Sequence, residues 1–169
     1  KQLTFNQVYM FIEPRILKPL PRLQGWFEDD HYLMQKRDAT TSAIVKVNAK
    51  TGEESILLDF NSINPNLDEA ELTAEENIGI TKDYTGLLFY DDNDLFFYSI
   101  PQKKVTRLTN DKDEEVNPML SPNGKKAAYT KNKDLYVVDV ESSKETRLTN
   151  DASDVVYNGY ASWVYMEEI

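Results

Sequence analysis

Apolar and polar residues alternate along much of this chain, and the alternation recurs every 40 residues. The six residues TRLTND occur at 106–111 and again at 146–151. The windows before them align without a gap: TKDYTGLLFYDDNDLFFYSIPQKKVTRLT starts at Thr81, and SPNGKKAAYTKNKDLYVVDVESSKETRLT starts at Ser121. Asp94-Leu95 matches Asp134-Leu135, Lys104 matches Lys144, and Phe89 matches Tyr129. In the later copy the pattern predicts a short strand over residues 126–130, a polar hairpin turn over 131–134 and a strand rich in β-branched residues over 135–140. A further strand is expected over 145–148. The turn SPNG (residues 121–124) precedes the first of these, with Pro early and Gly where a positive φ is needed. A looser copy lies upstream. Residues 25–36 parallel 119–131, and residues 43–58 parallel 135–148.

Short strands at a period near 40 are the pattern of a β-propeller, with one four-stranded blade per repeat. A β-sandwich also has many short strands but does not explain a gap-free repeat. The expected fold is therefore all-β, a partial β-propeller of about three four-stranded blades plus the start of a fourth. The blades are placed at residues 22–60, 76–111 and 113–151, and the next begins near Tyr157. The segment QLTFNQVYMF (residues 2–11) reads either as a strand from another blade or as a lead-in. The acidic residues 61–77 read as a solvated loop between blades, in which residues 67–77 can form a helical turn. Propellers close with about four to eight blades. The expectation is thus that residues 1–169 are the N-terminal part of a larger propeller. The chain begins at Lys1 rather than Met, and no signal peptide is visible.

Composition narrows the chemistry. The 169 residues are 40% hydrophobic and 28% charged, as in ordinary globular proteins, with a net charge of −10. That charge argues against a nucleic-acid or anionic-membrane surface. The absence of cysteine removes disulfides, thiolate metal sites and a Cys nucleophile. No apolar run is long enough to predict a membrane span in this chain. The single histidine, His31, sits in strand-like alternation and has no partner set for a metal. No G-x-S-x-G nucleophile elbow is present, so an α/β-hydrolase catalytic domain is expected to be absent from this chain and no residue is assigned as catalytic. The six glycines are scattered and form no phosphate loop, so no cofactor is expected. DDND (residues 91–94) and NDKDEE (residues 110–115) lack the ligand spacing of a calcium loop and read as turns, so no metal site is assigned.

The end of the chain carries a resemblance. YNGYASWVYMEEI (residues 157–169) resembles a segment of the dipeptidyl-peptidase-IV family that runs Y-N-G, a few residues, then W-V-Y-x-E-E. Here these are Tyr157-Asn158-Gly159, Trp163-Val164-Tyr165, Met166 and Glu167-Glu168. The preceding blade, with its SPNG turn and its KDLYVV strand, resembles the corresponding blade of that family. The likeness is best over residues 81–169. The SP-x-G blade alone is shared with propellers of the TolB kind, which makes a non-enzymatic binding or scaffolding propeller the alternative. The resemblance implies an N-terminal eight-bladed propeller joined to a C-terminal α/β-hydrolase domain. It also implies a serine exopeptidase that removes N-terminal dipeptides after proline or alanine. It assigns Glu167 and Glu168 to the free α-amino group of the peptide substrate. It implies export to the periplasm or beyond in a bacterial source, and a possible homodimer. Two departures stand out. The hairpin at 89–96 has no arginine, where the family places one that touches substrate, and Met166 stands where an acidic residue is common.

Overall fold

The computed structural model describes residues 4–10 and 20–160. The chain divides into two compact units, Lys1–Leu57 and Leu58–Ile169. Twelve strands are described in three antiparallel four-stranded sheets, each an up-and-down meander in sequence order. This is an all-β fold of the partial-propeller kind, with few helices.

The first sheet is built from β1 (Arg22–Phe27), β2 (His31–Arg37), β3 (Ser42–Asn48) and β4 (Glu54–Asp59). Its centre is β3, where Ala43, Val45 and Val47 are buried against Tyr32 and Met34 of β2. A bulge between Leu23 and Gly25 shifts the β1–β2 register, and Gly25 takes the positive φ there. Before this sheet in the chain, α1 (Phe5–Tyr9) is a helix, which removes the strand alternative for that segment and leaves the lead-in. Its cause is local: Thr4 and Gln7 form a reciprocal capping box, which satisfies donors at the helix start.

The second unit opens with α2 (Phe60–Ile63) and three short 3₁₀ turns, Asn64–Asn66, Asp68–Ala70 and Ala74–Glu76. The helical tendency matches expectation, but the segment is not merely solvated. Phe60, Ile63, Leu67 and Ala74 are buried, and the Asn64 side chain bonds Ala74 N–H and Glu75. Then follow the second sheet, β5 (Gly79–Ile80), β6 (Gly86–Asp91), β7 (Asp94–Ser99) and β8 (Lys104–Arg107), and the third, β9 (Val116–Leu120), β10 (Lys126–Lys131), β11 (Asp134–Asp139) and β12 (Glu145–Arg147). The SPNG turn therefore lies between the first and second strands of its sheet. Its sequence neighbours did not disclose β9, which carries Pro118 and is an edge strand, where a missing N–H is tolerated.

The two sheets share one core. Leu88, Leu95, Phe97 and Leu108 of the second repeat cluster with Ala127, Tyr129 and Val138 of the third. Burying a Leu or Phe side chain contributes roughly 1.5–3 kcal/mol, so this cluster is what holds the two repeats together. The hairpins are two-residue turns at Asp92-Asn93 and Asn132-Lys133, with all four residues at positive φ. That is the turn geometry whose twist matches paired strands. Gly86 is required by packing, because a Cβ there would lie 2.1 Å from the Phe97 ring.

Candidate functional site

Glu167 and Glu168 lie outside the described residues, as do Trp163 to Met166. The stem leading to them is described, and its Y-N-G residues are fastened to the third sheet. The Asn158 N–H donates to the Lys133 carbonyl (2.8 Å), and the Asn158 side-chain amide donates to Asp134 Oδ1 (3.1 Å) and Asp151 Oδ1 (2.9 Å). Lys133 Nζ sits 4.6 Å from the Tyr157 ring centroid, and Tyr157 meets Tyr160 edge-on. Gly159 has φ +74, and a Cβ on it would come within 2.5 Å of Thr130 Cγ2. All three residues of the triplet thus secure the stem: Tyr157 by ring contact, Asn158 by its bridging amide, and Gly159 by close approach.

Asp134 is one half of a clasp that the repeat builds twice. Arg147 Nη2 and the Thr149 hydroxyl donate to Asp134, while Thr149 Oγ1 also accepts the Leu135 N–H (2.9 Å). Forty residues earlier Arg107 Nη2 and the Thr109 hydroxyl donate to Asp94, and Thr109 Oγ1 accepts the Leu95 N–H (2.8 Å). Both Arg Nε groups return to the Thr carbonyl. This explains why D-L and T-R-L-T recur at one spacing: Asp, Arg and Thr are one unit. Burial pushes the Asp134 carboxyl up, but the Thr149 and Arg147 hydrogen bonds and the Arg147 charge outweigh it and hold it below the usual carboxylate range.

A second cluster was not singled out from the sequence. Lys131, expected in a turn, ends β10 and is buried, with Nζ 2.6 Å from Asp111 Oδ2 and 2.7 Å from Glu145 Oε2. The Tyr129 hydroxyl donates to the same Glu145 oxygen, and Lys131 Nζ stands 4.8 Å from the Tyr136 ring centroid. Burial works against the charge of Lys131, but the hydrogen bonds of the two carboxylates prevail and push its pKa up to about 12. Asp111 is lifted by burial and lowered by more through Lys131 and the Asp113 N–H, so it stays ionised. Asp111 and Glu145, with Arg107, Leu108, Asn110 and Ser143, line an open cavity of about 420 Å³. A cavity of about 300 Å³ lies between Lys104 and Thr106 of β8 and Lys125, Asp139 and Glu141 of the third sheet.

The two acidic stretches act as connections. Asp92 and Asn93 form the β6–β7 turn, and Asp113 accepts from Asn132 (2.8 Å). Among the described residues no three acidic or histidine groups are gathered as metal ligands. His31 pairs with Asn48 across β2–β3, and its Nδ1 lies 2.5 Å from Asp30 Oδ1.

Fold and repeat define an all-β protein of the partial-propeller kind, with three four-stranded sheets of which the second and third carry the clasp. Residues 91–169 match the family described as "Dipeptidyl peptidase IV (DPP IV) N-terminal region", so the resemblance seen in the sequence holds over this stretch. Dipeptidyl peptidase 4 from Porphyromonas gingivalis is similar in fold at a TM-score of 0.57, with 18% identity over 88% of this chain and 22% of that one. A candidate dipeptidyl aminopeptidase IV from Bacteroides ovatus gives 0.50, with 20% identity over 78% of this chain and 18% of that one. The chain thus corresponds to about a fifth of the length of these proteins. TolB from Acinetobacter baumannii gives only 0.38, with 18% identity over 73% of this chain and 30% of that one. No curated protein matches.

Proposed function

We propose that this chain is propeller from a serine exopeptidase that removes N-terminal dipeptides of the Xaa-Pro or Xaa-Ala type. In this reading the propeller gates the cavity, and Glu167 and Glu168 bind the α-amino group of the peptide. The observation that carries it is the family match over residues 91–169, which includes the Y-N-G stem and the W-V-Y-x-E-E stretch. An exopeptidase must measure from the free N-terminus, and the ammonium is what distinguishes that end. Carboxylates are the matching partner: each charge-assisted hydrogen bond contributes roughly 1.5–3 kcal/mol. The pinned stem at Tyr157–Tyr160 supports this role, because a charge pair positions a substrate only when its base is fixed. The catalytic serine, aspartate and histidine belong in this reading to a hydrolase domain of the same protein. Export to the periplasm or beyond, and dimerisation, belong to it as well.

The test is kcat/KM on a Gly-Pro chromogenic substrate for Glu167→Gln and Glu168→Gln in the full-length protein. Losses of about 10²–10⁴ are expected, along with poor cleavage of N-acetylated peptides. Normal folding with both variants within about threefold of the parent would place the amine site elsewhere.

A further inference from the structure

Glu115 ends the connector between β8 and β9. It is 1% exposed, and neither carboxylate oxygen has a well-formed hydrogen bond, the nearby Thr109 hydroxyl being given to Asp94. Buried polar atoms are ordinarily satisfied, and a buried charge more so. The groups that face it come from four places. Tyr90 is on β6, Asp94 starts β7, Thr109 and Asp111 are in the connector, and Tyr129 and Lys131 are on β10. Every donor among them is already engaged. The Tyr90 hydroxyl donates to Asn93, Thr109 to Asp94, Tyr129 to Glu145, and Lys131 to Asp111 and Glu145. Two of the neighbours are carboxylates. A neutral carboxyl fits this site and a carboxylate does not.

The preceding repeat shows the satisfied version. Glu75, at the equivalent position 40 residues earlier, is half-buried and accepts from the Asn64 amide at 3.1 Å. The connector around Glu115 is held by side chains: Asp111 on Lys131, and Asp113 on Asn132. The Asp113 bond lies at the surface, whereas the Asp111 bond is partly buried on Lys131, so the hold on the connector is concentrated beside Glu115.

We propose that Glu115 is a proton-operated latch on the connector between the second and third sheets. Protonated, it stays buried and the connector is closed. On ionisation it leaves for water, because Lys131 is already shared by two carboxylates, and residues 109–117 open. The latch does not depend on the exopeptidase reading. Burial, then the Asp111 and Asp94 charges, push the Glu115 pKa up from 4.5 to about 7, with Lys131 and Thr109 acting weakly the other way. A carboxyl raised on folding contributes stability that is present below its unfolded value and is lost as pH rises through its folded value. Opening therefore falls between mildly acidic and neutral pH.

The experiment is a carboxyl ¹³C NMR titration of the 169-residue chain with labelled glutamate, the Glu115 signal being assigned by Glu115→Gln. Amide hydrogen exchange of residues 109–117 is followed alongside at about pH 5.5 and pH 8, corrected for intrinsic rates. The expected result is a Glu115 carboxyl titrating near neutrality. About a tenfold loss of protection at the higher pH is expected in wild type and none in Glu115→Gln. Titration in the ordinary carboxylate range, equal protection at both pH values, or the same loss in the variant would each overturn the latch. If Glu115→Gln does not fold, the wild-type exchange data and a carboxyl titration assigned through backbone correlations decide alone.

Discussion

Phe89, Asp91 and Val105 in the second sheet stand where Tyr129, Lys131 and Glu145 stand in the third, each pair 40 residues apart. The backbones match, with the same two-residue hairpin and the same Asp-Arg-Thr clasp. What differs is the corner beside the connector. In the second sheet Phe89 is buried and Asp91 is exposed. In the third, a phenol, an ammonium and two carboxylates are joined there. The apolar version suffices to build a sheet, so the polar version is not required by the fold. Buried ionic groups are seldom the most stabilising choice for a site, and breaking one costs more than replacing the whole set.

That contrast gives the largest expected effect. Lys131→Met leaves Asp111 and Glu145 without their shared cation, with Asp111 beside the buried Glu115. Both carboxylates keep some access to water, so the cost is discounted from the fully buried case to about 2–3 kcal/mol in urea unfolding. Adding Glu145→Val, the residue of the second sheet, should recover at least half of it. If the double variant is as unstable as the single one, the two sheets are not interchangeable at this corner.

Next come the clasps. Asp94→Ala and Asp134→Ala each strand an Arg and a Thr, at about 1–2 kcal/mol. Asp134 also receives Asn158, so its loss should exceed that of Asp94 by about 0.5–1 kcal/mol. Equal losses would mean that Asn158 contributes nothing through Asp134. The smallest effect concerns the turn before the second strand of each sheet. Gly124 has φ +66, and a Cβ there would meet Thr81 Cγ2 at 2.6 Å, whereas Tyr84, its equivalent, holds φ 58 with a side chain. Gly124→Ala should therefore cost about 1 kcal/mol. The Thr81→Ser background removes that methyl while keeping the hydroxyl that accepts from Gly86 N–H, and should recover part of the loss. No recovery would show that backbone strain rather than contact sets the cost.

The repeat made the architecture legible, because strands and turns recur with the chain's own spacing. Local chemistry that does not repeat was harder to read. The Phe5–Tyr9 helix follows from Thr4 and Gln7, two polar residues inside an apolar alternation that otherwise suits a strand. Lys131 looked like turn material because its neighbours are polar, yet the hairpin needs only Asn132 and Lys133. Glu115 was hidden in an acidic run, and only burial distinguishes it from Glu114 beside it. The buried residues of the 60–74 segment were masked by the acidic residues between them. The clasps could have been found, since Asp, Arg and Thr recur together; what the sequence lacks is the statement that they touch.

Asn158 has one further consequence. Its single amide joins Asp134, at the start of β11, to Asp151, at the end of the same repeat, while its backbone N–H is held by the hairpin at Lys133. The distance along the chain from Thr149 to Asn158 is therefore fixed at both ends. Duplicating or deleting a whole 40-residue unit leaves such a span intact, whereas a one-residue insertion within 150–157 must break a hydrogen bond or bulge the chain.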